Sequence, residues 1–513
     1  MTKKSLAKVD YIKPLEDKPY AEIVAEKKRY HSEVKERLIE IVGKDKVRDD
    51  QEMLSRYSRD RSLEPPGRPS FIVFPKNTQE VSEIVAYANE LHLAVVPLSS
   101  GTHNYGTTLP RMGGIVIDLS EWKKIHTIDY RNRATRVEPG VTYDQLQDEL
   151  EKEGLRALIP LLPRKDQSVL TAHLEAHPML IPEFNYSEPL YTAEIVMPQG
   201  EIFRTGAAAM APPETTNTDL IGSWGPGFDW NRLYTRAQGT LGIATWVNIM
   251  AEPLPTTQKI YFTAFSNIDD LVSFAYQIQR KWIGYECFCL NGTNLALILA
   301  DTMPNDYVEL KKVLPEYILL FCIAGLKYFP DERIAYQEAD FMEVAQECGV
   351  NPQLSLPGVP KAASFFTRYL RRCWDREIYW KDTYKGASAD LFFITPMEKA
   401  STFITALKEE SLNVHYPAED IGVYLQPMEN GRASHLEFTF PYNPEDTYER
   451  NLVKKLHRSA SERAYALGAH FTRAYGPWAE MVYGRNSLQY QTAKLIKETI
   501  DPNNIMNPGK LGL

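Results

Sequence analysis

From Leu98 to Thr108 the chain reads Leu98-Ser99-Ser100-Gly101-Thr102-His103-Asn104-Tyr105-Gly106-Thr107-Thr108. Small residues let successive backbone N–H groups close on an anion, and phosphate oxygens are natural ligands of such a nest. The loop alone fits a surface turn equally well. Neither GxGxxG nor GxxxxGK[S/T] occurs, so a nucleotide bound here is held by neither a Rossmann nor a P-loop device. His173, Glu175 and His177 have a spacing that superficially fits metal ligands. No further ligand motif stands nearby, and they read as polar residues lining a loop or cavity; no metal is expected. Arg368, Arg371 and Arg372 offer a cluster for a substrate carboxylate, but their spacing fits a solvated helix face.

Four further segments accompany the loop. They are Glu138-Pro139-Gly140-Val141-Thr142, Gly200 to Gly206, Gly239-Thr240-Leu241-Gly242-Ile243-Ala244-Thr245, and the tail Asp501 to Lys510. In order and spacing these resemble the vanillyl-alcohol oxidase/p-cresol methylhydroxylase flavoproteins: the pyrophosphate loop, the EPG turn, the RTG hairpin, the GTLGI(V)T strand start and the DPNxxxNPGK tail. The resemblance covers residues 65–255 and the last forty well, and the middle poorly. It implies FAD, with Ser99, Ser100, Gly101, Thr102, His103 and Asn104 around the pyrophosphate. Tyr105, Gly140, Gly242 and Ile243 lie near the cofactor, and Lys510 sits beside the flavin or braces the tail. Where many members carry a Gly-Asn pair, this chain has Ser168 to Glu175, with Ser168, Thr171 and Glu175 as the cofactor contacts.

Parts of the chain resemble the phenol-oxidising branch. They are Tyr105-Gly106, Trp224 to Asp229, Leu391-Phe392-Phe393-Ile394-Thr395-Pro396, and Arg432-Ala433-Ser434-His435. The resemblance then implies a para-substituted phenolic (benzylic) substrate oxidised by hydride transfer to flavin N5, via a quinone methide to which water can add. Tyr105, His435, Arg473 and Tyr475 are the expected catalytic residues. A buried phenolate needs donors or a cation to hold its charge. The adjacent Tyr-Arg pair of that branch is absent; Arg473 and Tyr475 stand at shifted positions. His435 fits a satisfied histidine on a sheet face as well as a pocket residue. The alternatives are a 2-hydroxy-acid dehydrogenase, which calls for paired arginines and a histidine base, an FAD-using synthase of the same superfamily, and a catalytically altered FAD-binding protein. The cap position that tethers flavin in phenol-oxidising relatives is here Ser388-Ala389-Asp390, without His or Tyr. Ser100-Gly101-Thr102-His103 matches instead the loop pattern SGGH, which places His103 either as a covalent tether or as a plain FAD contact.

These residues need elements to position them. Phe71 to Phe74 reads as a strand and Thr78 as the cap of a helix carrying Val81, Ile84, Val85 and Ala88 at helical spacing. Leu93 to Pro97 reads as the next strand, leading directly into the loop. Thr142 caps a second helix, and Ala193–Met197 with Glu201–Arg204 forms a hairpin. Residues 207–220 read as an exposed loop. The expected fold is α+β: an N-terminal arm and helix over 1–49, a two-subdomain FAD-binding domain over 50–255, a cap on an antiparallel sheet over 256–475, and a segment over 476–513 that returns to the FAD domain. The net charge of −9 argues against a nucleic-acid partner. The longest apolar run, Tyr317 to Leu326, is too short to span a bilayer. Five cysteines without a CxxC pair, and an N-terminus lacking an apolar stretch, suit a reducing, cytoplasmic setting. The expected partners are a small aromatic substrate and an electron acceptor (oxygen, a cytochrome or another redox protein). The resemblance adds a homo-oligomer built through the cap.

Overall fold

The computed structural model describes residues 20–180, 190–210, 218–220, 222–225, 227–485 and 487–513. The arm up to residue 19, residues 211–217 of the expected loop, and Pro226 of the Trp224–Asp229 stretch lie outside them. The architecture is α+β, built on three sheets.

The first sheet has the order β1 (Val47–Arg48), β2 (Phe71–Val73), β4 (Ile115–Asp118), β3 (Val95–Leu98). β4 runs parallel to both β2 and β3. Helix Thr78–Glu90 joins β2 to β3 and packs Val81, Ile84, Val85 and Ala88, all 0% exposed, into the core. Its cap is Asn77, whose side chain accepts from the Glu80 N–H; Thr78 is the first helical residue, and its hydroxyl donates to Glu194. Asn77 stands at the extended position before the first turn, from which its amide oxygen reaches that free N–H. Thr142 does cap its helix, Tyr143–Lys152.

The second sheet has the order β5 (Ile125–Asp129), β6 (Ala134–Val137), β10 (Ile243–Pro253), β8 (Leu190–Val196), β9 (Ile202–Arg204), with β7 (Leu155–Ala157) also on β10. Its pairings are antiparallel, and β8–β9 is the hairpin read from the sequence.

The third sheet is antiparallel, in the order β11 (Thr257–Phe265), β13 (Tyr317–Gly325), β12 (Glu286–Asn291), β15 (Gly422–Met428), β16 (Ala433–Tyr442), β14 (Ala387–Thr395). β13 is buried along its whole length. Leu319, Phe321 and Ile323 join one core with helices Ile268–Arg280 and Pro330–Glu347, while Ile318, Leu320 and Cys322 join another with Gly292–Leu299 and Lys361–Tyr369. A strand covered on both faces needs an unbroken apolar run, which is what Tyr317 to Leu326 supplies. No helix among the described residues is long and apolar enough to cross a membrane.

The tail returns to the first sheet. Val95 N–H donates to Ile505 and Asn507 N–H to Val95, at 2.7 and 2.8 Å. The buried Lys497 ammonium reaches the Thr240 carbonyl (2.7 Å), the Met506 carbonyl (2.9 Å) and the Asp501 carboxylate (2.5 Å). The tail is thereby clasped to the start of β10.

Candidate active site

The loop after β3 faces the polar edge of the third sheet across a cavity of about 710 Å³. Gly101 has φ +92°, and a Cβ there would stand 2.6 Å from the Asp166 carbonyl. Only glycine fits that turn and that approach. The Gly106 peptide is held from both sides: its N–H donates to Asp60 at 2.7 Å, and its carbonyl accepts from Lys510 at 2.5 Å. Lys510 is therefore a brace of the loop, and burial lowers its ammonium to about 8. Asn507 donates to the Thr107 and Gln238 carbonyls. Across the loop, the Ser99 and Thr171 hydroxyls are 2.7 Å apart.

Ser100, Thr102, His103, Asn104 and Tyr105 line the cavity, as do Ser168, Thr171, Glu175, Arg473 and Tyr475. A narrower cleft of about 110 Å³ runs on from it past Ser99, His103, Gly242 and Ile243. His103 touches both spaces. Its Nε2 and the Ser100 hydroxyl are buried without a hydrogen-bond partner, and burial lowers the imidazole so that it is neutral. Gly140 lies behind the wall, packed under the Ser120 and Trp122 carbonyls. A long ligand with an anionic middle, one end in the cleft and the other in the wider cavity, fits this shape and these orphaned donors.

The wider end carries aromatic and charged groups. Tyr105 stacks on Tyr475, centroids 4.8 Å apart and planes parallel within 1°. The Tyr475 hydroxyl donates to Glu175 at 2.7 Å. Burial, then the Glu175 charge, pushes the Tyr475 phenol well up, so it stays a donor; burial raises Glu175. The Arg473 guanidinium is 4% exposed and lies 3.9 Å over the Phe392 ring. Its Nε is buried without a partner, and no carboxylate stands at ion-pair distance among the described residues. His177 also lines the cavity, its Nδ1 3.0 Å from the Gln167 amide. Burial, then Arg473, lowers its imidazole well below the ordinary value.

The sheet contributes a buried charge cluster. Asp390 of β14 and Glu437 of β16 stand diagonally on one face, since Asp390 pairs with Thr439. Lys381, from the short turn Trp380–Asp382, bridges them at 2.8 and 2.5 Å. Burial works against this ammonium, but Asp390 and Glu437 outweigh it and hold it well above the ordinary lysine value. Burial likewise opposes Glu437, yet Lys381 and His435 keep it well below the carboxylate range.

His435 departs from the expected position. It is 0% exposed and does not line the cavity; it stands behind Glu437, 3.2 Å from its carboxylate. Lys381, Asp390, Glu437 and His177 were not among the residues read from the sequence as catalytic. The arginine cluster is also elsewhere. Arg371 is buried on Glu286 at 2.7 Å, Arg372 pairs with Asp148 and Glu151, and Arg368 with Asp375. For Arg371 the solvated-face reading fails too, because Glu286 and Cys322 on the sheet beneath draw it in. His173, Glu175 and His177 bond three different partners, Val169, Tyr475 and Gln167. Among the described residues no group of three or more His, Cys, Asp or Glu is arranged to hold a metal ion.

Residues 69–206 match the FAD binding domain family. FAD is the cofactor of this chain. The glycolate oxidase subunit GlcD of Bacillus subtilis (strain 168) is 26% identical over 497 residues, covering 93% of this chain and 96% of its own. The mitochondrial D-lactate dehydrogenase [cytochrome] of Arabidopsis thaliana is 23% identical over 465 residues, covering 86% and 73%. Among solved structures, p-cresol methylhydroxylase with substrate bound has TM-score 0.79 at 16% identity, covering 94% of this chain and 96% of its own. The flavoenzyme thus has the p-cresol methylhydroxylase fold and is an FAD-dependent oxidoreductase. The two sequence relatives are named for hydroxy acids, not for the alkylphenols of the branch expected above.

One expectation tests the loop of the flavoenzyme. Gly101→Leu should purify with less than about a tenth of the wild-type flavin, because the side chain meets the Asp166 backbone and φ is unfavourable. Flavin content per chain, read from absorbance, checks this. Full occupancy would remove the loop from the cofactor site.

Proposed function

We propose that the flavoenzyme oxidises a small 2-hydroxy acid to the 2-oxo acid. The observation that carries this reading is Arg473: a guanidinium buried on the cavity wall with no acidic partner. A buried charge without compensation is costly, and an anionic substrate supplies what it lacks. Bound FAD supplies a two-electron acceptor for the hydride that leaves C2. Arg473 takes the substrate carboxylate in a charge-assisted, two-pronged hydrogen bond. The Tyr105–Tyr475 stack and Phe392 exclude water from the same end.

His177 is the base for the hydroxyl proton. The Gln167 amide nitrogen stands 3.0 Å from Nδ1; turning that amide over, so that its oxygen accepts from Nδ1–H, leaves Nε2 free to accept. Arg473 helps to depress His177, after burial. A carboxylate on Arg473 offsets that charge, so substrate binding itself raises the basicity of His177. The chain-long likeness to the glycolate and D-lactate enzymes supports the same reading.

A second reading, a para-substituted phenol, draws on the two phenols beside Arg473 and on the fold neighbour. Anaerobic mixing separates the two: lactate and glycolate should bleach the oxidised flavin bands, and 4-alkylphenols should not. Bleaching by the phenols alone would end the hydroxy-acid reading. Tyr105→Phe sharpens the comparison. It should change lactate turnover by less than about threefold, whereas a phenolate substrate deprived of that donor would slow by roughly 10-fold or more.

A further inference from the structure

One turn touches both halves of the site. Residues 236–239 lead into β10, and Gln238 and Gly239 line the narrow cleft. Arg236 and Gln238 both hold left-handed backbone, φ +66° and +53°, which side chains other than glycine adopt rarely and only where the surroundings fix them. The turn in turn braces the walls of the wider cavity. The Arg236 N–H donates to the Leu174 carbonyl at 2.7 Å, and the Gln238 N–H faces the neighbouring Glu175 carboxylate. The Gln238 side chain is 6% exposed, and its Nε2 donates to the Ala474 carbonyl at 3.0 Å. The Gln238 backbone carbonyl accepts from Asn507 at 2.7 Å, so the tail holds the turn. Ala474 stands between Arg473 and Tyr475, and these three residues belong to no helix or strand. The Tyr475 hydroxyl is tied to Glu175, whereas the Arg473 guanidinium has the Phe392 face beneath it and an Nε without a partner. The direction of that guanidinium therefore follows from the backbone beneath it, which the Gln238 amide anchors to the cofactor half.

We propose that Gln238 is a positioning residue for the substrate carboxylate: from the cofactor cleft it fixes the backbone at Ala474, and so aims the Arg473 guanidinium. The inference rests on the hydroxy-acid reading above. Without the amide donor the Ala474 carbonyl is buried and unpaired, and the segment shifts toward another donor. A displacement of about 1 Å is enough to spoil a two-pronged guanidinium–carboxylate bond. Arg473 holds a carboxylate that is present before and during hydride transfer alike, so the loss falls on substrate affinity more than on the rate at saturation. Tyr475 is affected less, because its tie to Glu175 is backed by the Gln238 backbone N–H, which every substitution except proline keeps.

The test uses the holoenzyme. Rapid anaerobic mixing with racemic lactate gives a dissociation constant and a limiting rate of flavin bleaching, and oxamate, a carboxylate that cannot react, is titrated against the flavin spectrum. Two variants remove the bond in different ways. Gln238→Asn keeps an amide and suits left-handed backbone, but is one methylene too short; Gln238→Met fills the volume without a donor. Each should keep its flavin, bind lactate and oxamate about tenfold more weakly, and bleach at saturation within about threefold of wild type. In an Arg473→Met background the same substitutions should weaken lactate by less than about twofold, because no guanidinium is left to aim. Their effect on urea unfolding should be the same in both backgrounds. A residue that only supports the fold would weaken lactate by the same factor with or without Arg473. That result, unchanged oxamate binding in both variants, or loss of flavin from both, overturns the role of Gln238 while leaving the hydroxy-acid reading intact. If no hydroxy acid bleaches the wild-type flavin and a phenol does, the reading falls and the role of Gln238 with it.

Discussion

An Arg473→Met enzyme is expected to keep its flavin and to lose roughly 10³-fold in kcat/KM, since a desolvated charge pair with substrate is worth several kcal/mol. The same variant should be no less stable than wild type. Methionine retains the packing on Phe392, and the substitution removes a cation that has no acidic partner in the resting site. Loss of function with unchanged or increased thermal stability is the mark of a residue kept for its ligand. A variant that melts early yet turns over normally would show that Arg473 holds the structure and not the substrate.

Lys381→Met should behave in the opposite way. It leaves two carboxylates facing one another in a buried wall, and stripping the partner from such a pair costs about 3–5 kcal/mol. Urea unfolding at pH 8 and pH 5 checks both size and sign. In wild type Glu437 is held below its unfolded value, so its contribution is intact above that value and is lost only as pH falls below it, while Asp390, already raised by burial, binds a proton on folding as pH falls. In the variant the acids lack their ammonium and their folded values rise above the unfolded ones. They then bind protons on folding, and stability grows as pH falls. The gap between the two proteins should therefore be widest at pH 8 and narrow toward pH 5. A gap that widens in acid would contradict the ionised state assigned to the cluster.

The cofactor half of the molecule was legible in the sequence because its constraints are local. The turn at Gly101, the cap at Thr142 and the clasp around Asp501 each show in a few consecutive residues. The substrate half was less so. Arg473 and Tyr475 were read by position and do line the cavity, but Lys381, Asp390 and Glu437 are brought together by strand register and one short turn, and no contiguous motif contains them. A signal was available: His435, Glu437 and Thr439 alternate on one strand, as do Ser388 and Asp390 on another. Polar residues at a period of two inside otherwise apolar strands point to one shared polar face. Arg371 went astray for a related reason. Sequence spacing extends the helix Lys361–Tyr369 through it, but Arg371 lies in the turn beyond, and Glu286, 85 positions away, decides where its guanidinium goes.

The loop after β3 is locked by residues some 400 positions later, through the Asn507–Thr107 and Lys510–Gly106 hydrogen bonds. That separation sets an order of assembly during synthesis. The first two sheets can begin to form as they leave the ribosome, since domains fold as units from the N-terminal side. The anion nest cannot close until the segment around Lys510 has emerged and laid itself along Val95. Flavin capture then waits for that segment, and a nascent chain stalled before residue 497 should be colourless however long it waits with the cofactor.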